Sequence, residues 1–143
     1  MFSLEVMTAV GAAVLLFLVW LFAKTRSKDR LDGMMKQRAS GSRLVTRAEY
    51  VESLAHIPVS LALSDSTIFY ENGDMQASID LDRVDEIEYD DELATGQAIA
   101  HGKALRLRSH GHTFEFLIDA ASAQKWSTIL PPKHFDDAIR AAV

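Results

Sequence analysis

The chain is 143 residues long, 24% charged and 48% hydrophobic, with a formal net charge of −5. Once an apolar N-terminal run and a basic connector are set aside, about 100 residues remain, enough for one ordinary domain and too few for two. There is no cysteine, which excludes disulfides, thiolate nucleophiles and cysteine-based zinc sites and agrees with a reducing compartment for the folded part.

Residues 6–23, VMTAVGAAVLLFLVWLFA, run for 18 positions without a charge before Lys24. A hydrocarbon core is crossed by about 20 mostly apolar helical residues, and a buried soluble helix rarely reaches that length uninterrupted. The run predicts a transmembrane anchor over residues 1–23. A cleaved signal peptide fits less well, because no Lys or Arg precedes the run and it ends in Trp20-Leu21-Phe22-Ala23-Lys24 rather than at a small-residue cleavage site. Lys24, Arg26, Lys28 and Arg30 follow directly; the positive-inside rule then puts the C-terminal part in the cytoplasm and the short N-terminus outside. The expected location is the cell (inner) membrane, crossed once. Trp20 stands one turn from the basic end, where an indole can lie among headgroups, although packing against hydrocarbon beside Phe17 and Phe22 explains it equally well. Trp20, Lys24, Arg26, Lys28 and Arg30 form the expected membrane-interface set. Ala9 and Ala13, with Gly11 and Ala12 between them, make a small-xxx-small pattern that permits a homodimer through the span.

Residues 24–43 read as a basic juxtamembrane linker. Residues 24–47 carry eight Lys or Arg against Asp29 and Asp32, whereas residues 48–143 carry seven against seventeen acids. Leu31, Met34 and Met35 are the linker's large apolar residues, too few to bury a helix face well, so it is expected to extend the membrane helix and then loosen. Near an anionic leaflet each base gains about 1 kcal/mol, which would lay the linker along the membrane. Positive-inside targeting alone also accounts for the charge.

The folded domain spans residues 44–143. Thr46 and Glu49 have capping-box spacing and predict a short helix over residues 47–56, ended by Pro58; a strand over residues 45–56 is the alternative. The hydrophobic period then changes to two, and strands are expected at residues 59–63, 67–71, 75–81, 85–90, 104–109 and 113–118. Asp65-Ser66 and Asn72-Gly73-Asp74 are turns, which makes the first three of these a meander. A two-residue His110-Gly111 turn pairs Leu107 with Phe114, Leu105 with Phe116 and Arg106 with Glu115, whereas a one-residue slip would set Arg106 against Phe116. Asp119 is a plausible N-cap for a helix over residues 120–130, stopped by Pro131-Pro132, and residues 134–143 can form another short helix.

This pattern, carried by LALSDSTIFYENG (61–73), SIDLDRVDEIEYD (78–90) and KALRLRSHGHTFEFLIDAASAQKWSTIL (103–130), resembles the pleckstrin-homology-like superfold, in particular its compact bacterial and GRAM-type members. The resemblance implies an α+β fold: a transmembrane helix followed by a bent antiparallel β-barrel or sandwich capped by a C-terminal helix, with Trp126 as the plug. It normally brings seven strands, so either residues 97–100 or the segment around 45–52 should supply one more. Members that bind phosphoinositides carry Lys and Arg between the first two strands, and the loop expected there is Ser64-Asp65-Ser66.

From Asp65 to Glu92 there are eleven acids and one base, Arg83. Such a face would be repelled by anionic headgroups. It reads as a solvated surface or as a docking face for a basic protein partner, with Asp80, Asp82, Asp85, Glu86, Glu88, Asp90, Asp91 and Glu92 as candidate contacts. Calcium is disfavoured, because Val84 and Asp85 stand where an EF-hand loop needs a ligand and Gly. His101, His110 and His112 lack cysteine companions and read as turn and edge residues. No nucleotide-binding, nucleophile-elbow or zinc-protease motif occurs, and the acidic domain argues against nucleic acid. The sequence therefore predicts no enzyme, no metal and no cofactor, but a membrane-anchored interaction or regulatory module; lipid sensing or small-ligand binding at the membrane surface is the alternative.

Overall fold

A computed structural model describes residues 4–134. Helix α1 (Leu4–Ala39) precedes seven strands: β1 (Leu44–Glu52), β2 (Ala55–Ser64), β3 (Thr67–Glu71), β4 (Gln76–Asp80), β5 (Glu86–Asp90), β6 (Lys103–Ser109) and β7 (His112–Ile118). A 3-10 turn, Leu81–Arg83, joins β4 to β5, and α2 (Ala120–Ile129) follows β7. The strands form one antiparallel sheet in the order β4-β3-β2-β1-β7-β6-β5. Ile68 and Ile79 from one end of that order share a core with Ile87 and Leu107 from the other, so the sheet bends round a single interior. The architecture is α+β.

The seventh strand is β1, where the capping-box reading expected a helix over residues 47–56. Thr46 caps nothing; its hydroxyl hydrogen-bonds the Ser122 hydroxyl at 2.7 Å, while Glu49 accepts from His56 at 3.1 Å. Residues 44–52 satisfy a period of two as readily as one of 3.6, and pairing along the whole strand with β2 decides between them. Leu44, Ala48 and Tyr50 then face inward, with the Tyr50 ring packed at a tilt 5.1 Å from Tyr70 and 5.4 Å from Phe116. Residues 97–100 are not a strand of the sheet. They fold back so that Ala98 bridges Glu92 and the Ile99 N–H donates to the Asp91 carbonyl.

The β6–β7 hairpin adopts the expected register, with Ser109 opposite His112 and Arg106 opposite Glu115. Both turn residues, His110 (φ 48°) and Gly111 (φ 81°), are left-handed, the twist a two-residue hairpin requires. Gly102 enters β6 at φ 149°, where any Cβ would collide with the Ile118 carbonyl. Asp119 caps α2 by accepting from the Ser122 N–H at 2.7 Å. Trp126 is completely buried in the core, and Tyr89 donates to the Leu130 carbonyl at 2.7 Å, tying β5 to the end of α2. Burial holds the Tyr89 phenol well above its ordinary pKa. The helix expected at residues 134–143 lies outside the described residues beyond His134.

The linker expected to loosen is helical to Ala39, continuous with the apolar segment over 36 residues. Gly41 closes the helix with an N–H donated to the Arg38 carbonyl at 3.1 Å. The helix persists because it has a floor to pack on: Val59 to Leu63 of β2 are buried on both faces of the sheet. Val59, Leu61 and Leu63 point to the core, whereas Ser60 and Ala62 point the other way, beneath α1. Small floor residues let a helix approach closely, so one buried Leu31, with Met34 and Met35 half-buried, suffices as cover. Pro58 is tolerated because β3 pairs β2 only from Ser60 onward, leaving the earlier part of β2 an open edge.

Trp126 fills the interior, and among the described residues its indole N–H has no hydrogen-bond partner, so its contribution is volume. Trp126→Ala should cost about 3–5 kcal/mol and Trp126→Phe clearly less, read from denaturant unfolding of the full chain in detergent; equal losses would mean the indole is held by something other than packing.

Candidate functional site

α1 contains one segment long and apolar enough to cross a membrane, none of it buried against the protein. Its large apolar side chains from Leu4 to Phe22 are exposed on every side of the helix, a surface far beyond the few hundred Å² that a soluble monomer tolerates. The Thr8 and Thr25 hydroxyls donate back to helix carbonyls, Thr25 to Leu21 at 2.9 Å, which removes unpaired donors from an apolar setting. At the basic end the Lys24 ammonium lies 5.1 Å from the Trp20 ring, an arrangement suited to an interface.

Beyond that point α1 crosses the sheet. In the register of β1, β2 and β3, Arg47 lies opposite Ser60 and Ser60 opposite Glu71, so the three form one row on the outer face. The helix brackets this row with two ion pairs, Asp32 with Arg47 and Arg38 with Glu71. Asp32 and Arg38 are six residues apart, roughly 9 Å of helix rise, and β1 and β3 are two strand spacings apart, also roughly 9–10 Å. The match lets both pairs close at once. Arg38 donates to both Glu71 carboxylate oxygens, at 2.6 and 3.2 Å, and its guanidinium sits 4.1 Å from the Phe69 ring. The hydrogen bond and charge of Glu71 hold the Arg38 pKa above its ordinary value against a smaller desolvation. Glu71 is 4% exposed; sequence reading passed over it because only the strand register reveals that a carboxylate there meets a helix cation.

The remaining outer face is covered by the loop after β5. Leu93 and Ile99 pack on Val51, Ala104 and Leu117, and beside this small cluster lies Arg106. Its guanidinium reaches Glu115 at 2.8 Å, Glu88 at 3.2 Å, Asp90 at 3.3 Å and the Glu92 carbonyl at 3.1 Å. Burial opposes the charge, but the Glu115 and Asp90 hydrogen bonds outweigh it and raise the Arg106 pKa. The Asp90 carboxyl is held below its usual range, first by the Glu92 N–H and then by Arg106.

The eight acids expected to meet a partner therefore divide. Glu88 and Asp90 bind Arg106, Glu86 pairs with Arg108 at 3.1 Å, and Asp91 pairs with Lys103. Among the described residues Asp80, Asp82, Asp85 and Glu92 have no cationic partner. Asp80, Asp82 and Asp85 lie together at the 3-10 turn, with Asp80 accepting from the Asp82 N–H at 3.0 Å; Glu92 lies beyond the far end of β5.

Among the described residues two clefts stand out. One of about 450 Å³ lies between Leu44 and the outer side of α2 and is not lined by Trp126. The larger, about 680 Å³, opens between the start of the helix's basic segment and the domain. Lys24, Arg26, Lys28, Arg30 and Arg47 line it, against Asp74 as the one acid. The collar was legible in the sequence; that Arg47 and the β3–β4 turn would join it was not. The loop between the first two strands is Ser53-Leu54, since Ser64-Asp65-Ser66 follows β2, and it too lacks a base.

No protein-family model, curated protein or solved structure matches this chain.

The Arg38–Glu71 pair should carry the docking of α1. Arg38→Met strands the buried Glu71 carboxylate and should destabilise by about 2–3 kcal/mol, while the double change with Glu71→Ala should recover part of the loss. Denaturant unfolding of the four proteins of the cycle measures the coupling, and a coupling near zero would show that the pair is incidental.

Proposed function

We propose that the protein is a membrane-anchored, non-catalytic interaction or regulatory module, crossing the inner membrane once and presenting a PH-like domain in the cytoplasm. The observation that carries the reading is the unbroken helix. A domain on a loose tether samples all orientations, whereas one clamped to the rigid continuation of a span offers the same surfaces to the same compartment. The Lys and Arg that follow the apolar segment favour the cytoplasm for that compartment. Support for the PH-like assignment comes from the meander order of the strands, the bend that brings both ends of the sheet to one core, and the Trp126-bearing helix packed into that core.

On this reading the partner-facing surface is the 3-10 turn, where Asp80, Asp82 and Asp85 have no cationic partner among the described residues, and the partner is a basic protein segment. Glu86, Glu88, Asp90 and Asp91 serve the domain's own ion pairs. A lipid-directed role is the second reading, favoured by the larger cleft. Asp80→Lys/Asp82→Lys/Asp85→Lys in the full chain should abolish capture of partners crosslinked in native membranes, while Glu52→Lys, exposed at the end of β1 beside the β1–β2 turn, should leave it intact. Undiminished capture by the triple variant would end the acidic-face assignment.

A further inference from the structure

We propose that the larger cleft is a binding site for the phosphate headgroup of an anionic phospholipid, built jointly by the membrane helix and the domain. It is distinct from any site in the loop between the first two strands, which carries no base.

The first argument is charge. Five basic residues and one acidic residue line a cleft of about 680 Å³, within the roughly 300–1,000 Å³ usual for small-ligand sites. Among the described residues Lys24, Arg26, Lys28 and Arg30 make no salt bridge, so their mutual repulsion is relieved only by solvent or by a bound anion. Arg47 differs: Asp32 fixes it from outside the lining, which orients the side chain rather than leaving it to solvent. An arginine fork can bind two phosphate oxygens at once, a geometry that the point charge of a lysine does not offer.

The second argument is depth. Ala23, the last apolar residue of the span, is itself part of the lining. Lys24 to Arg30 covers roughly 9 Å of helix, and a headgroup layer adds roughly 5–8 Å beyond the hydrocarbon. The cleft therefore opens at the level where lipid phosphates lie. Its opposite wall is the β3–β4 turn, where a Cβ on Gly73 would sit 3.5 Å from Arg30 Cδ, so that Arg30 already lies against the turn. Ile57, Pro58 and Leu31 add apolar surface, suited to a glycerol backbone and not to a free ion. These features select a lipid over soluble phosphate.

Such a lipid would bridge helix and domain, adding to the two ion pairs a third tie that exists only in a membrane containing anionic lipid. The acidic 80–92 segment does not oppose it, since that segment contributes nothing to the lining.

The test is native mass spectrometry of the full chain in neutral detergent, titrated with phosphatidylglycerol or with phosphatidylcholine. One phosphatidylglycerol should be retained and phosphatidylcholine lost. Arg26→Gln/Arg30→Gln should weaken retention roughly 30-fold, from about 1 kcal/mol per base. Lys36→Gln/Arg43→Gln, an equal loss of charge outside the cleft, should change it less than twofold. Asp74→Asn should tighten it about fivefold; because the turn is held by Asn72 accepting the Asp74 and Met75 N–H groups, this variant keeps the fold and tests the site in the opposite direction. Equal weakening by both double variants, or no gain from Asp74→Asn, would reduce the effect to diffuse charge and overturn the site. Inorganic phosphate displacing the lipid at comparable concentration would overturn the lipid assignment. The proposal rests on α1 being a membrane span, and alkaline extraction of native membranes reports that separately: release of the protein would defeat the span, whereas retention without lipid selectivity would defeat only the site.

Discussion

The row Arg47–Ser60–Glu71 across three strands, gripped at its ends by Asp32 and Arg38, is the constraint on which the rest of the structure depends. Without it only Leu31, Met34 and Met35 would hold the basic segment of α1 on the Ser60–Ala62 floor, against the repulsion of its crowded like charges. With it, a helix of 36 residues, about 54 Å long, becomes a single lever from the apolar segment to the sheet. Buried Glu71 makes the grip selective, because a carboxylate with so little access to water is costly unless a cation meets it. Ser60 has a cost of its own: its hydroxyl is buried with no partner among the described residues. A larger side chain there would lift the helix off the floor and part the ion pairs on either side.

The same helix divides the surface of the domain. Its outer sheet face is shared between α1, over β1 to β3, and the loop carrying Leu93 and Ile99, over β1, β7 and β6. The inner face is filled by the core and by Trp126. Basic groups gather where the helix meets the β3–β4 turn, and uncompensated acids gather at the 3-10 turn. Much of the acidity between these regions is spent internally on Arg106, Arg108 and Lys103, so the strong negative balance of residues 65–92 overstates the field offered to a partner. Charge that looks like a binding face in one dimension can be structural in three.

What was legible in the sequence follows from what is local. The apolar run, the hairpin register at His110-Gly111 and the Asp119 cap are set by neighbours within a few residues, and each has one arrangement that suits its side chains. Residues 44–52 were ambiguous because their apolar positions fit two periods, and the tie was broken by β2 and β7, which are distant in sequence. The helical linker departs from the expected loosening for a related reason. Counting Leu31, Met34 and Met35 asks how much the helix can bury, whereas the answer depends on how small its floor is, and Ser60 and Ala62 lie in another element. Arg38, Glu71 and Arg47 carried no signal of their own, since isolated charges on a helix or strand are ordinarily solvated.

The central claim is that the apolar helix and the domain form one mechanical unit, and amide hydrogen exchange of the full chain in lipid nanodiscs tests it most directly. Slow exchange should continue without a break from Lys24 through Ala39 and should fall away after the helix ends at Gly41. Fast exchange anywhere between Lys28 and Arg38, with the sheet still protected, would mean a flexible tether and would contradict the clamp.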